Sequence, residues 1–349
     1  MKPLEWINGR LKFLDQTRLP LEEFFCETDN VLSVAEAIKR LAIRGAPLIG
    51  IAAAYGVALA SLSANYSTAK EVRQYLKSVI DILASTRPTA VNLFWALKRQ
   101  QRVLDSWQTD SIADLQKKLL NEAKQIHQED AEMCERISSF GAEILPGDCS
   151  VLTHCNAGAL ATGGRGTAVG IISKAWELGK LKHVYIDETR PLLQGARLTM
   201  WEIKQAKIPA TLIVDSVAAV LLKQGKINAI IVGADRITMN GDTANKVGTY
   251  SLAVLAKHHG IPFYVAAPVS TIDVQMSAGK DIPIEERDAK EVTELFGRRI
   301  TPEMADVYSP AFDITPNEFV TAIVTDQRVC RPPFSDSLKR LKLQDEYAG

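Results

Sequence analysis

The chain has 349 residues, with 41 Lys and Arg against 41 Asp and Glu, 46% hydrophobic and 23% charged residues. That composition excludes a disordered chain, which needs low hydrophobicity and high net charge. Zero net charge supplies no general field for nucleic acid or an anionic membrane, so the expected partner is a small molecule or a second copy.

The length suits two packed units, and the hydrophobic period changes character near Pro146. We therefore expect a mainly helical N-terminal domain over residues 1–145 and an α/β domain over 146–349. The start, MKPLEWINGRLKF, carries Glu5 and Arg10 where a secretory signal needs an apolar run. Val31 to Leu41 reads as an amphipathic helix, and Pro47 suits the first turn of the next one. The stretch from Ala46 to Ala69 holds no charge and could span a bilayer by length. Its Ala, Gly, Ser, Tyr and Asn content favours a buried helix and loop instead. From Ser111 to Leu145 apolar residues recur at spacings of three or four, except across Asp130, which predicts one long charge-faced helix.

Beyond Pro146 come short Val- and Ile-rich runs: SVLTHC at 150–155, HVYID at 183–187, ATLIVD at 210–215, NAIIVGAD at 228–235 and PFYVAAP at 262–268. Helical patterns fill the gaps between them. Apolar strands alternating with helices predict βαβ units and a Rossmann-like parallel sheet covered on both faces. Ligands of such sheets bind at the carboxyl ends of the strands. Those ends carry Cys155-Asn156, Glu188-Thr189-Arg190, Asp215-Ser216, Asp235-Arg236 and the segment after Pro268.

The segment from Thr162 to Thr167 is glycine-rich and could bring backbone N–H groups to an anion at a helix start. A dinucleotide fingerprint fails there, because the third glycine position falls on Val169. Cys155 lies between a strand end and that segment, where a helix dipole would favour a thiolate; the plain alternative is a buried inert thiol. Its neighbour His154 should point to the opposite face, which disfavours a Cys–His dyad. Asp235 ends an apolar strand, where desolvation would suit a general acid; capping the next turn is the alternative. Lys246 is read as opening a helix, a placement that invites an anion such as phosphate. Arg44 before Gly45-Ala46-Pro47, and Arg87 before Pro88-Thr89, make two further anion-friendly helix starts. The five cysteines form no CxxC pair, and His258-His259 diverge on a helix, so neither a disulfide framework nor a metal site is indicated.

Taken together, LDQTRLP, IRGAPLIGIAAAYG, RPTAVNLFWAL, LTHCNAGALATGGRGTAVG, ETRPLLQGARLT and VGADRITMNGDTANKVGTYSLAVLAK resemble the methylthioribose-1-phosphate isomerases of methionine salvage. IPFYVAAPVSTID, IPIEER and SPAFDITP extend the resemblance to Pro316. It implies an aldose–ketose isomerisation of 5-methylthio-ribose 1-phosphate without metal or organic cofactor, in a homodimer; a cytoplasmic location is expected from the charged start and the buried reading of Ala46 to Ala69. By position it implies a catalytic pair of Cys155 and Asp235, with substrate contacts at Arg44, Gly45, Ala46, Arg87, Gln194, Asn245 and Lys246. Leu48 and Ser216 depart from the family's usual Ala and Asn. A ribose-1,5-bisphosphate isomerase would need a second basic cradle where a methylthio group needs an apolar slot. Regulatory subunits of the exchange factor for initiation factor 2 share the fold as binding modules and require no catalytic pair.

Overall fold

The computed structural model describes residues 2–63, 68–88, 90–109 and 111–342. Thr89 and residues 64–67 of the uncharged stretch lie outside the described residues. Two compact units emerge: residues up to Glu135 with Gly158–Gly166, and Arg136–Ala157 with the chain from Thr167 onward. The division falls inside a helix, so no single point in the sequence separates them.

The first unit starts with an antiparallel sheet of β1 (Leu4–Ile7), β2 (Arg10–Leu14) and β3 (Phe25–Thr28). The helices α1 (Val31–Lys39), α2 (Ala46–Ser63), α3 (Ala69–Ala84) and α4 (Val91–Ser106) follow, with α5 (Ile112–Ile144) up to Glu135. Helix α2 is long and apolar enough to cross a membrane, yet 78% of it is buried. It is the core helix of this unit, and Gly50 lets the Asn92 carbonyl of α4 approach to 2.6 Å from where a Cβ would stand. The break in the α5 pattern has a cause. Asp130 faces inward, 5% exposed, and its Oδ2 accepts the Gly163 N–H at 2.6 Å.

The second unit is α/β. Its main sheet has the strand order β16-β15-β10-β7-β4-β5-β6. These are β4 (Cys149–Thr153), β5 (Leu181–Asp187), β6 (Ala210–Ile213), β7 (Ala229–Val232), β10 (Phe263–Ala266), β15 (Ala322–Val324) and β16 (Val329–Cys330). All neighbours pair in parallel except β15 and β16. The five sequence-predicted strands are contiguous in it. β15 and β16 were not foreseen, because runs of three and two residues carry no readable period.

Strand β7 shows why these runs are apolar throughout. Ala229 and Ile231 pack into one core with Ile171 and Ile203, whereas Ile230 and Val232 pack into another with Leu252 and Phe263. Both faces of the sheet are covered, by helices that include α6 (Ala168–Glu177), α7 (Met200–Gln205), α8 (Ala218–Lys223) and α9 (Thr249–His259). A smaller sheet, β11-β8-β9-β14, joins Ile272–Asp273, Arg236–Thr238, Thr243–Lys246 and Phe312–Thr315. The remaining pair, β12 (Glu294–Leu295) and β13 (Arg298–Arg299), is antiparallel.

Candidate functional site

The polar residues of the α/β unit gather where its parallel strands end. Strand β4 stops at Thr153, and the chain turns sharply at Cys155, whose φ of 60° is left-handed. That region is disfavoured for any side chain bearing a Cβ, and such strain concentrates at functional positions. The Cys155 N–H donates to Thr189 Oγ1 at 2.8 Å, and its carbonyl accepts from Thr199 Oγ1 at 2.5 Å. The residue is half-buried. His154 turns away from it: the ring faces Asp187 Oδ2 through Nδ1 and the Val247 carbonyl through Nε2, each at 2.9 Å. Both ring nitrogens are thereby engaged, and neither serves the thiol.

Strand β5 ends at Asp187, and the loop behind it is held by an acid. The two carboxylate oxygens of Asp215 accept the N–H groups of Thr189 at 2.7 Å and Arg190 at 2.8 Å. Thr189 is fully buried and itself left-handed, with φ 65°. A π-helical turn over Gly195–Thr199 then leads into α7. At its first residue a Cβ would stand 1.7 Å from the Asp187 carbonyl oxygen, so glycine is required by contact. Just before it lies Gln194, 7% exposed, whose Oε1 meets no partner among the described residues.

Strand β7 runs beside β4, and at their exits a Cβ on Gly233 would meet Ala157 at 2.8 Å. Asp235 follows, half-buried, its N–H bonded to the Ala244 carbonyl at 2.9 Å. That bond sets Asp235 beside strand β9, which carries Asn245 and Lys246. Asn245 Nδ2 donates to Thr249 Oγ1 at 3.0 Å. The expected placement of Lys246 needs correction. It is the last residue of β9, paired with Phe312, and α9 begins at Thr249. Its ammonium donates to the Ala311 carbonyl at 2.8 Å and lies 5.0 Å from the Phe312 ring. The helix-dipole argument for phosphate at Lys246 therefore lapses, although a buried cation, 8% exposed, remains.

Electrostatics centre on the His154–Asp187 pair. Burial pushes the Asp187 carboxyl up to about 6, against the pull of His154. Desolvation opposes protonation of His154, but the hydrogen bond and charge of Asp187 and the charge of Asp215 override it and raise its pKa. Ligand-type atoms of His154, Asp187 and Asp215 lie within 4.8 Å of one another. A cation there would have to displace the hydrogen bonds just described, because His154 Nδ1 is bonded to Asp187 itself, Nε2 to the Val247 carbonyl and both Asp215 oxygens to backbone N–H groups.

In the helical unit, Gly45 has φ 94°, and a Cβ on it would lie 2.5 Å from Ala161 Cα. Its carbonyl accepts the Ile49 N–H and so opens α2, with Ala46 as the first helical residue. Arg44 precedes this turn and Arg87 precedes α4, both half-buried. Since α2 and α4 pack on each other at Gly50, the two arginines stand before adjacent helices. The glycine-rich segment is used differently from the anion cradle its composition suggests. A Cβ on Gly163 would lie 2.6 Å from His127 Cδ2, and one on Gly164 2.8 Å from Ala131 Cα. The Gly163 N–H is occupied by Asp130. These glycines let the segment lie flat on α5.

Of the residues singled out by sequence, Cys155 and Asp235 follow the neighbouring strands β4 and β7, Gln194 precedes the π-helical turn after β5, Asn245 and Lys246 lie at the end of β9 in the smaller sheet, and the helical unit carries Arg44, Gly45, Ala46 and Arg87. Sequence reasoning did not assign roles to Thr189, Thr199 or Gly195. Their signal is positional, as polar or small residues within a few places of an apolar strand end.

The sequence profile of the Initiation factor 2 subunit family matches residues 42–332. A methylthioribose-1-phosphate isomerase from Pelotomaculum thermopropionicum is 53% identical over 333 residues, covering 95% of this chain and 92% of the relative. The crystal structure of 5-methylthioribose 1-phosphate isomerase from Pyrococcus horikoshii OT3 superimposes with a TM-score of 0.92 at 46% identity, over 97% of this chain and 95% of that one. The structure described as translation initiation factor eIF-2B, subunit delta, from A. fulgidus gives 0.88 at 44% identity, over 97% and 98%. Near-complete coverage in both directions, at about half identity, makes this chain a member of the Initiation factor 2 subunit family and, within it, of the methylthioribose-1-phosphate isomerases.

Proposed function

We propose that the protein isomerises 5-methylthio-ribose 1-phosphate to 5-methylthio-ribulose 1-phosphate in methionine salvage. The carrying observation is the location of Cys155 and Asp235 behind adjacent strands β4 and β7. Counted along the chain, the order β6-β5-β4-β7-β10-β15 is 3-2-1-4-5-6, which supports a Rossmann-like reading of the α/β unit. In that order β4 and β7 flank the point where the winding reverses, the crevice in which open α/β sheets bind ligands.

The phosphate ester on C1 blocks opening of the sugar as a free hemiacetal. An acid must protonate the ring oxygen, and hydrogen must then move from C2 to C1. In this reading Asp235 is the acid for ring opening, and Cys155 exchanges the proton at carbon. Gln194 and Asn245 bind sugar hydroxyls, Lys246 contributes positive charge, and Arg44, Gly45, Ala46 and Arg87 serve the phosphate. No cofactor enters this scheme. A cytoplasmic homodimer belongs to the same reading, and the edge strand β6 with its exposed Leu212, followed by exposed Val214, offers an apolar surface for self-association.

A purely binding role, as the resemblance to exchange-factor subunits would suggest, gives no reason for a thiol at a strained left-handed position. The deciding assay supplies purified protein with 5-methylthio-ribose 1-phosphate and ribose 1,5-bisphosphate side by side. Turnover of the first well above the second is expected. Equal or reversed preference removes the methylthio assignment, and no turnover of either removes the enzyme reading.

A further inference from the structure

We propose that Thr189 and Thr199 are positioning residues whose hydroxyls clamp the two ends of Cys155 and hold its backbone in the left-handed turn that presents the thiol. The inference rests on the reading that Cys155 is the reacting thiol.

The geometry is that of a bracket. A threonine hydroxyl has one hydrogen to donate and two lone pairs to accept with. Thr189 Oγ1 accepts the Cys155 N–H at 2.8 Å and donates to the Asp187 carbonyl at 3.1 Å. Thr199 Oγ1 donates to the Cys155 carbonyl at 2.5 Å and accepts from Asn156 Nδ2 at 3.1 Å. The same Asn156 nitrogen donates to Glu202 Oε1 at 2.7 Å. Every hydrogen in this series therefore has one direction, from the side chain of Asn156 through Thr199 to the Cys155 carbonyl, and from the Cys155 N–H through Thr189 to Asp187.

Both threonines are fully buried, and both are themselves fixed. Thr189 is pinned in its own left-handed conformation by Asp215, which holds the N–H groups of Thr189 and Arg190. Thr199 closes the π-helical turn whose first residue, Gly195, lies against the Asp187 carbonyl and, at 3.0 Å from its would-be Cβ, against Thr189 Oγ1. The β-branched side chain adds stiffness at χ1, which places the hydroxyl without a search among rotamers. A residue at φ 60° keeps that conformation only when its surroundings over-determine it, and the two hydroxyls bond both backbone polar groups of Cys155.

Thr189→Val and Thr199→Val keep the shape and remove the hydroxyl, whereas Thr189→Ser and Thr199→Ser keep the hydroxyl. The four variants are compared with wild type for kcat and KM on 5-methylthio-ribose 1-phosphate, for the rate of Cys155 alkylation by iodoacetamide read by mass spectrometry, and for thermal midpoint. The valine variants should lose about tenfold to a hundredfold in kcat with little change in KM, the scale of a misplaced reacting group. Their alkylation rates should change severalfold, and the serine variants should recover most of both. Valine variants that fold and match wild type in kcat and alkylation overturn the proposal. So do serine variants as impaired as the valine ones, since packing alone would then explain the loss. Should Thr189→Val fail to fold, Thr199→Val carries the same expectation from the other side of the residue. If wild type does not turn over this substrate, the functional reading fails by itself, and the alkylation rates still decide the clamp.

Discussion

His154 Nδ1 lies 2.9 Å from Asp187 Oδ2, and both side chains are 1% exposed. On the far side of the ring, Nε2 faces the Val247 carbonyl, which can only accept, so Nε2 carries a hydrogen. The bond between Nδ1 and the carboxyl therefore needs a proton shared between them. A Cβ on Gly248 would touch the ring at 2.8 Å, and the Gly248 N–H is held by Asp313 at 2.7 Å. The pair thus ties the residue before Cys155 to the strand end that follows Asn245 and Lys246.

This pair should write a signature into stability. Both groups bind protons more tightly folded than unfolded, Asp187 through burial and His154 through Asp187 and Asp215. Stability from the pair therefore falls as pH rises: the Asp187 part between its unfolded value and about 6, the His154 part above the ordinary imidazole range as the folded group deprotonates. In Asp187→Asn the ring keeps its burial and loses its anion, so its pKa drops. The variant should be less stable by about 3 kcal/mol near pH 6, the usual cost of breaking a buried pair. That gap should narrow towards pH 9 in urea titrations. A gap constant across the range contradicts the assignment of the shared proton.

Gly195→Ala tests the contact beneath the clamp. The new Cβ would lie 1.7 Å from a backbone carbonyl oxygen, which no rotamer change relieves. A loss of about 3 kcal/mol or more is expected, at the upper end of overpacking costs, with the urea midpoint as the measure. Gly225→Ala is the control: its φ is 66° and nothing lies within 4 Å, so only the left-handed strain of about 1 kcal/mol applies. Equal losses in the two variants would show that backbone strain, not contact, governs Gly195.

Much of this architecture is legible in the residues, and the limits have physical causes. The five apolar runs became neighbouring parallel strands; in β4, β7 and β10 burial on both faces leaves a composition that needs no alternation, whereas β6 at the edge leaves Thr211 and Leu212 exposed. The long helix through Asp130 was readable from its period, and its one interruption marks the carboxylate that holds Gly163. Lys246 was misplaced because TANK precedes an apolar helical pattern and β9 is only four residues long, held by pairing with the distant Phe312–Thr315. The glycine-rich segment misled for a related reason. A glycine needed for close packing and one needed to approach an anion look alike until the neighbour is known. Cys155 and Asp235 stood out by their place after strands, but the bracket of Thr189 and Thr199 depends on residues 34 and 44 positions from Cys155, beyond any local pattern.

In the helical unit, Gly45→Ala should be severely disruptive. The residue combines φ 94° with a would-be Cβ 2.5 Å from Ala161 Cα, so strain and overlap act together. We expect a loss of about 2–4 kcal/mol in urea unfolding, set by overpacking and the left-handed cost. If the Gly45-Ala46 turn also serves the phosphate, KM should rise more than tenfold in whatever fraction folds. A fully stable variant with unchanged KM would refute both roles.

The assignment of acid and phosphate roles separates in steady-state kinetics. Asp235→Asn keeps the shape of the side chain, and the backbone bond from Asp235 to the Ala244 carbonyl does not depend on it. The loop should persist while the acid is lost, so kcat should fall by about 10²–10⁴, the usual worth of a positioned acid, with KM near its original value. Cys155→Ser should behave alike, since a hydroxyl is a far weaker acid than a thiol. Arg87→Ala should do the reverse, raising KM by roughly tenfold or more through loss of a charge-assisted contact to phosphate, with the smaller effect on kcat. The split itself is the test. If Asp235→Asn retains kcat and raises only KM, the carboxyl binds substrate instead of moving a proton, and ring opening must draw its proton from another group.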